Sequence, residues 1–471
     1  MEESLALTVA DAPRAWTAPC HLTVTYALAG LGRLDEALVA ARGCVNDWAD
    51  ATTGRADQSP GGRIGALRAY ACVLGWSGRT GESVQVYRQC HDALGELGLW
   101  RRSRLGLLYS RTLVELTAGL RKLAQYDEAV SVGDDARQRI DGPLLRLYPE
   151  GLSLRARLLS DLAWCRGATG ELDRARETAA EAVDICRTLV ARDSASGERR
   201  LVIALECLAH QLDQLDAHAE ERVAQGELAA LCERLAKTDP DAYEPALARA
   251  LDGLARCHAR AGEVHESVAA IERGVALCRR AAERDPVVHQ PELARTLAVL
   301  SFRLRRTDAG EGAVAAAREA LEITRRLTEP DGEAHRALVA RRLRILGGAL
   351  HGAADDEEAE ACFTEAEKIL RALMAAGDHK RHEADLEAVL SKLVVTLGVA
   401  VDAHLDAGRA DEAVAALHRI RLLTRRTGQS DVHAACVSAF AWAGARDPEE
   451  VRRLWRRATG EPWPSFVYRL G

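Results

Sequence analysis

Arginine recurs along the chain at a fixed spacing, and a series of this kind could bind anionic groups. The position five residues before Leu254, followed in steps of 46, reads Gly65, Arg111, Arg157, Ile203, Arg249, Arg295 and Arg341. A guanidinium group is planar and donates two parallel hydrogen bonds to a carboxylate or a phosphate. If these side chains face one groove, the groove is basic although the net charge of the chain is −7. The spacing therefore predicts a surface for an acidic peptide, a carboxyl tail or a phosphorylated segment.

Nearby basic and aromatic side chains extend this predicted binding face. The predicted binding residues are Arg111, Arg157, Trp164, Arg249, Arg256, Arg295, Phe302, Arg305, Arg341 and Arg344. Aromatic and arginine side chains contribute most to interface energies, which favours the binding interpretation. The structural alternative is that the arginines lie across neighbouring helices and pair with glutamates of the next unit. Both interpretations are compatible with a periodic arginine.

The cysteines and histidines predict no metal or redox site. Cys186, Cys232 and Cys278 lie 46 residues apart, and none of the twelve cysteines forms a CxxC pair. Equivalent positions in successive units indicate one structural role, which is small buried packing. The histidines of "DHKRHE" (378–383), with His289 and His335, are predicted to be solvated loop residues.

Catalytic motifs are absent from the sequence. It contains no HExxH, no GxSxG, no GxxxxGK[ST] and no dinucleotide-binding GxGxxG after a strand. We therefore expect no catalytic residues, no metal and no cofactor. An enzyme built on a helical scaffold with an unfamiliar site stays an open alternative.

The elements that carry these residues are helices, because apolar residues recur at three- and four-residue steps. The sequence motif L/V-A-R-x-x-L-x-x-L begins at Leu247, Leu293 and Val339. One position of the stripe is always small: Thr25, Ala71, Thr117, Ala163, Ala209, Ala255, Ser301 and Gly347. A second small position reads Ala37, Ser83, Ala129, Ala175, Glu221, Ser267, Ala313 and Ala359, with Glu221 as the misfit. Small side chains on both helices let an antiparallel pair approach closely.

Turns and breaks follow the same spacing. Gly32, Gly78, Gly170 and Gly262 are predicted to supply left-handed turns between the two helices of a unit. Asp239-Pro240 and Asp285-Pro286 are predicted to end second helices, since proline stops helix propagation. Each unit is then helix, tight turn, helix and loop, and units must stack to bury their apolar faces.

This pattern resembles the tetratricopeptide repeat family. The motif residues in the unit "LDGLARCHARAGEVHES" are Leu251, Leu254, Ala255, His258, Gly262 and Ser267. The resemblance implies an all-α, right-handed superhelical solenoid of stacked helix pairs, whose first helices line the concave surface. The usual 34-residue unit is longer here by twelve, and we expect the extra residues in the second helix and the following loop. The arginine-rich helices look like arrays of actinobacterial signalling proteins, although the P-loop ATPase that often precedes such arrays is absent.

The resemblance divides the chain into three predicted regions. Residues 1–19 form a lead-in or cap, 20–430 form about nine units, and 431–471 form capping helices with an aromatic tail. That tail gathers Trp455, Trp463, Phe466 and Tyr468 in a chain with only 4% aromatic residues. A solenoid needs such a cap to close its last apolar face. Docking of a partner is the alternative role for the tail.

The predicted function is a non-enzymatic interaction scaffold or adaptor in cytoplasmic signalling or regulation, which binds an acidic protein or peptide partner. A ligand- or peptide-responsive sensor is the main alternative. Nucleic-acid binding is disfavoured, because a repeated arginine can touch phosphates but reads no bases. No secretory signal is visible, and the apolar stretch 393–401 is too short to span a bilayer, so no membrane partner is expected. The partner's identity and the oligomeric state are left open.

Overall fold

The structure of this 471-residue chain is a computed structural model, and it describes residues 14–52, 60–96, 105–141, 149–192, 194–327, 332–376, 379–424, 430–446 and 448–464. The described residues form twenty α-helices and contain no strand. The predicted all-α class is therefore confirmed. The chain divides into two compact units, Met1–Leu231 and Cys232–Gly471.

Consecutive helices form antiparallel pairs. The first unit contains α1 (Arg14–Gly30), α2 (Leu34–Thr52), α3 (Pro60–Trp76), α4 (Thr80–Gly95), α5 (Gly106–Lys122), α6 (Tyr126–Ile140), α7 (Pro149–Ala168), α8 (Leu172–Arg192), α9 (Ser194–Gln214) and most of α10 (His218–Leu235). The second unit contains α11 (Pro240–Arg260), α12 (Val264–Arg284), α13 (Pro286–Leu304), α14 (Gly310–Arg326), α15 (Glu333–Gly352), α16 (Asp356–Ala375), α17 (His379–Asp406), α18 (Ala410–Thr424), α19 (Ser430–Arg446) and α20 (Pro448–Thr459). The nine predicted repeats correspond to the nine pairs from α1–α2 to α17–α18.

The two small positions lie where the helices of a pair meet. All eight residues of the first series are buried, from Thr25 to Gly347. Ser83 Oγ donates to the carbonyl oxygen of Ala71 at 2.7 Å, and Ser267 Oγ donates to that of Ala255 at the same distance. These two bonds join equivalent positions four periods apart, so the predicted interlocking is confirmed. Glu221, the misfit of the second series, is also fully buried.

A left-handed residue recurs at more of the turns within helix pairs than glycine does. Gly32, Gly78, Gly170 and Gly262 have φ between 75° and 86°, as predicted. Ala124, Asp216 and Ala354 occupy equivalent turns and have φ of 56°, 53° and 62°. In each of these turns the amide after the left-handed residue donates to a carbonyl five residues earlier, which is the Schellman arrangement. The geometry of the turn is thus kept at three positions without glycine, whereas Asp308, one period after Gly262, does not have a positive φ.

The Asp-Pro pairs also begin the next helix. Asp239 Oδ1 accepts from Ala242 N at 3.1 Å, and Asp285 Oδ1 accepts from Val288 N at 3.3 Å. Proline fits the first helical position because that residue needs no N–H donor there. At Asp285 the connection between α12 and α13 is one residue. The prediction of extra residues in the loop is therefore wrong at this point. The residues by which the repeat exceeds the usual unit are shared by α11 and α12, which have 21 residues each.

The histidines predicted in loops lie in helices, so that prediction is wrong. His289 belongs to α13 and His335 to α15. His379 begins α17, in which the side chain of His382 is 3% exposed and its Nε2 lies 3.3 Å from Glu333 Oε1. These helices begin earlier than the sequence pattern indicated. Within the described residues, no group of three metal-ligating side chains is present.

The apolar stretch 393–401 is part of the 28-residue helix α17. By length and composition alone, its portion His382–Asp406 could cross a membrane, although 39% of its most apolar window is buried inside the protein. The core helix of a soluble protein passes the same test. The helix that contains the stretch is therefore long enough by this test, which the stretch alone did not indicate, and the absence of a membrane partner stays a prediction.

The last two helices enclose an aromatic cluster. Trp455 is fully buried, with its ring centroid 5.1 Å from that of Phe440 and 5.8 Å from that of Trp463. Helix α20 packs on α18 and α19. This packing fits the predicted cap, although Phe466 and Tyr468 lie outside the described residues. At the other end, α1 begins inside the predicted lead-in 1–19, and residues 1–13 are outside the described part.

Candidate functional site

The first unit contains a cavity that is lined mainly, but not only, by the first helices of its pairs. Its volume is about 510 Å³, and residues of α3, α4, α5, α7, α8 and α9 line it. Its charged lining residues are Glu115, Arg121, Lys122, Arg157, Asp161 and Arg200. Two apolar side chains of the lining, Trp76 and Ile203, are more than half exposed. The cavity therefore combines charged walls with apolar groups open to solvent.

Two arginines of the cavity are held by carboxylates. Arg157 donates from Nη1 and Nη2 to the two oxygens of Glu115 at 2.6 and 2.7 Å. Arg121 Nε donates to Asp161 Oδ1 at 2.8 Å. Burial raises the pKa of the Asp161 carboxyl, although Arg121 and Arg157 act in the opposite direction. These pairs join α5 to α7, and within each pair the two opposite charges neutralise each other.

Arg200 and Lys122 have no such counter-charge. Within the described residues, neither side chain forms an ion pair or a hydrogen bond. Burial and the nearby Arg157 lower the pKa of the Arg200 guanidinium. A lowered arginine pKa indicates a positive charge that lacks compensation. The cavity lining therefore carries two more cationic than anionic groups.

The hydroxyls and thiols of the cavity are not activated nucleophiles. Burial raises the pKa of the Cys72 thiol, which lies 3.0 Å from the Tyr87 hydroxyl, and raises that of Cys186 to about 11. At neutral pH such thiols are protonated and unreactive. Ser160 Oγ donates to the Ala156 carbonyl at 3.0 Å, and no histidine is among the described residues that line the cavity. This arrangement suits binding.

Cysteines at the periodic positions behave alike. Cys44, Cys90, Cys186, Cys232 and Cys278 are all buried. Burial raises the pKa of Cys44 to about 11 and that of Cys90 to about 12. The predicted packing role is confirmed.

The periodic arginines mostly contact neighbouring first helices. In the first unit, besides the Arg157–Glu115 pair, Arg111 Nη2 lies 3.3 Å from Glu150 Oε2. In the second unit, Arg295 Nη1 donates to Asp252 Oδ2 at 2.9 Å, and Arg341 Nε donates to Asp385 Oδ2 at 2.8 Å. These contacts are the pairing that the structural interpretation requires. Arg249 is exposed and also makes an interaction.

Arg295 donates hydrogen bonds to two carboxylates at once. It donates from Nε and Nη2 to Glu292 at 3.0 and 2.8 Å, in addition to its bond to Asp252. These hydrogen bonds raise the pKa of Arg295. Burial would raise the pKa of Glu292, but the bonds from Arg295 outweigh burial and lower it. Arg256 contributes a longer contact, with Nη1 3.8 Å from Asp252 Oδ2.

Five other arginines of the second unit form no ion pair with a carboxylate among the described residues. We call Arg303, Arg305, Arg306, Arg342 and Arg344 the arginine cluster. In the part of the chain that the structure describes, none of them forms an ion pair. The Nε atoms of Arg303, Arg342 and Arg344 are buried without a hydrogen-bond partner. Each of these arginines therefore carries a positive charge that no ion pair among the described residues neutralises.

Neighbouring positive charges act on three members of the arginine cluster. Burial lowers the pKa of Arg303, Arg305 and Arg342. Asp252 opposes this effect at Arg303, whereas the like charges of Arg256 and Arg306 add to it, and Arg344 lowers the pKa of Arg305 further. An anion placed here would relieve this repulsion.

Two predicted aromatic residues differ in accessibility. Phe302 on α13 is 52% exposed, and Arg303 Cζ lies 5.6 Å from its ring centroid. Trp164 on α7 is half-buried and stacks on His210 with ring centroids 4.3 Å apart. Phe302 thus lies beside the arginine cluster, whereas Trp164 packs within the first unit.

Sequence reasoning missed Arg303, Arg342 and Arg200. Positions one period before Arg303 and Arg342 hold the buried residues Cys257 and Thr296. Arg200 likewise follows Leu154 by one period. An arginine at a position that is otherwise apolar or buried is the signal that could have identified all three.

Comparison with solved structures identifies the fold. The chain is similar to the signal transduction ATPase with numerous domains from Pyrococcus horikoshii that carries a tetratricopeptide repeat sensor. Identity is 10%, the TM-score is 0.52, and the match covers 74% of this chain and 46% of that one. The chain has the tetratricopeptide-repeat fold. Its array matches less than half the length of that ATPase.

Two further similar structures have lower scores. The apo form of RapI is 11% identical over 67% of this array and 99% of that chain, with a TM-score of 0.46. A Rap protein complexed with competence and sporulation factor is 13% identical over 80% and 99% of the two chains, with a TM-score of 0.41. No protein-family model matches the array's sequence, and a search of curated proteins finds no relative.

Proposed function

We propose that this tetratricopeptide-type array is an interaction module whose second unit binds an acidic segment of another protein. The supporting observation is the arginine cluster, five arginines on or directly after α13 and on α15 that form no ion pair among the described residues, with Arg306 near Arg303 and Arg344 near Arg305. Arginine binds carboxylates and phosphates in two-bond geometry. The exposed ring of Phe302 adds an aromatic contact beside the cluster.

The proposal assigns binding to the unpaired arginines. Arg295 and Arg341 already donate to Asp252 and Asp385, so a partner carboxylate would have to compete with those bonds. Arg305, Arg306 and Arg344 have no such competitor. We also propose a cytoplasmic location, which eleven cysteines favour because they are free thiols. A role in signalling remains part of this proposal.

Selection from a displayed peptide library tests the binding specificity. We expect peptides rich in aspartate, glutamate or phosphoserine to be enriched and their affinity, measured by fluorescence anisotropy, to fall with salt. Reversing Arg305, Arg306 and Arg344 to glutamate should weaken binding at least ten-fold. The matched control reverses three exposed cations elsewhere in the second unit, Lys237, Lys368 and Arg457. Equal losses in both triple variants, or enrichment of neutral peptides, would refute the proposal.

A further inference from the structure

The cavity of the first unit has the features of a ligand site that is separate from the arginine cluster. Its volume of about 510 Å³ lies in the range that encloses small organic molecules. All of its lining residues, from Ala71 to Ile203, belong to the first unit. Binding here would therefore be independent of the function proposed for the second unit.

The charge of the lining determines the kind of ligand. Arg157 and Arg121 are occupied by Glu115 and Asp161. Arg200 is half-buried, forms no ion pair among the described residues and faces the same cavity, and Lys122 is exposed at its edge. One half-buried unpaired guanidinium calls for one anionic group, because the ammonium of the exposed Lys122 is already solvated. A doubly charged phosphate would meet the carboxylates of Glu115 and Asp161, so a single carboxylate fits better.

The apolar lining determines the rest of the ligand. Trp76 is 55% exposed and Ile203 is 51% exposed, although both are large apolar side chains. Ile203 occupies the periodic position that holds arginine in the neighbouring repeats, Arg157 and Arg249. An isoleucine there removes a competing charge and presents an apolar surface beside Arg200. We propose that this cavity binds a small monocarboxylate that carries an aromatic or aliphatic group, with its carboxylate on Arg200 and its apolar part against Trp76 and Ile203.

Ligand-observed NMR with defined probes tests the proposal on the full chain. The probes are benzoate, 3-phenylpropionate and octanoate, their neutral amides, and phenyl phosphate. At least one carboxylate should bind, and it should bind at least ten-fold more tightly than its amide and than phenyl phosphate. The absence of carboxylate binding, equal binding of the amide, or tighter binding of phenyl phosphate would overturn the proposal.

Variants locate the binding. Arg200→Gln should weaken carboxylate binding at least ten-fold, whereas Arg199→Gln, an exposed neighbour on α9 that does not line the cavity, should leave it unchanged. Ile203→Asp changes an exposed position, so the protein should fold, and its carboxylate should abolish binding by repulsion. Circular dichroism and thermal melting check that each variant is folded. Unchanged binding in both Arg200→Gln and Ile203→Asp would place the carboxylate elsewhere and overturn the assignment. Loss of peptide binding to the second unit would leave this result unaffected.

Discussion

The left-handed turns provide the sharpest test of the 46-residue repeat. Gly78 has φ of 79° and Ala124, one period later, has φ of 56°. Arg79 N donates to Leu74 O at 2.9 Å, and Gln125 N donates to Leu120 O at 3.0 Å, so the two turns have the same hydrogen bond. A β-carbon added to Gly78 would meet no atom within 4 Å. Exchanging glycine and alanine here therefore changes only the energy of the backbone.

That energy can be worked out from two opposing terms. A left-handed conformation costs an L-residue about 1–2 kcal/mol. Glycine avoids this cost but loses about 0.5–1 kcal/mol more conformational entropy on folding. Ala124→Gly should therefore stabilise the first unit by about 0.5–1 kcal/mol, and Gly78→Ala should destabilise it by a similar amount. For a unit of this size the change in melting temperature is about 1–4 °C.

The assay combines thermal melting with hydrogen exchange at the turn. The amide of Gln125 should gain about two- to five-fold in protection in Ala124→Gly, since 1.4 kcal/mol corresponds to a factor of ten. Ala180→Gly, in the interior of α8, is the control and should lower stability by about 1 kcal/mol. A lower melting temperature in Ala124→Gly, or a neutral Gly78→Ala, would show that the two turns are not equivalent and that the repeat does not fix local geometry.

Three further predictions concern the second unit. Ala255→Leu, at the buried contact with Ser267, should cost about 1–3 kcal/mol by overpacking, whereas Ala269→Leu on the exposed face of α12 should cost little, as chemical denaturation would show. Trp455→Ala should cost about 3–5 kcal/mol in the second unit and leave the melting of the first unit unchanged, because repeats are stabilised by their nearest neighbours. Burial would raise the pKa of Glu244, but its bonds to Arg280 and Arg284 outweigh burial and lower it. The stability lost in Glu244→Gln should therefore be constant above about pH 4.5, the region of the unfolded-state pKa, and should shrink as the pH falls below it in a pH series of melting curves.

Much of the fold follows from the sequence, because side-chain size has to repeat wherever helices interlock. The series from Thr25 to Gly347 predicted the closest contacts of the pairs, and all of its members are buried. The boundaries were less predictable. Asp285 both ends α12 and caps α13, so a pattern that indicates only a helix end misses the immediate restart. His335 and His382 were misplaced for the same reason, since a polar residue near a helix start resembles a loop residue in sequence.

The candidate site was only partly predictable, because periodicity alone does not distinguish packing from binding. Arg157, Arg295 and Arg341 obey the period and each has a carboxylate on a neighbouring first helix. Only the coordinates reveal those partners, which lie 42 to 44 residues away in sequence. Arg305 and Arg344 were identified from sequence, and the structure adds that they have no partner among the described residues.

A side chain that breaks the period carries more information about function than one that keeps it. The role of a periodic residue in one repeat explains its presence in the others. Cys186 and Cys232, which are both buried, are examples, and the arginines that join neighbouring helices are further examples. Arg200 and Arg303 occupy positions at which neighbouring repeats have apolar residues. Neither arginine forms an ion pair with a carboxylate among the described residues. Burying part of an unpaired guanidinium opposes folding, which leaves its presence unexplained by stability. If binding is the explanation, replacing Arg200 or Arg303 with the apolar residue found one period away should keep or raise the melting temperature while weakening the respective ligand. A variant that melts at a lower temperature would instead assign these arginines to the fold.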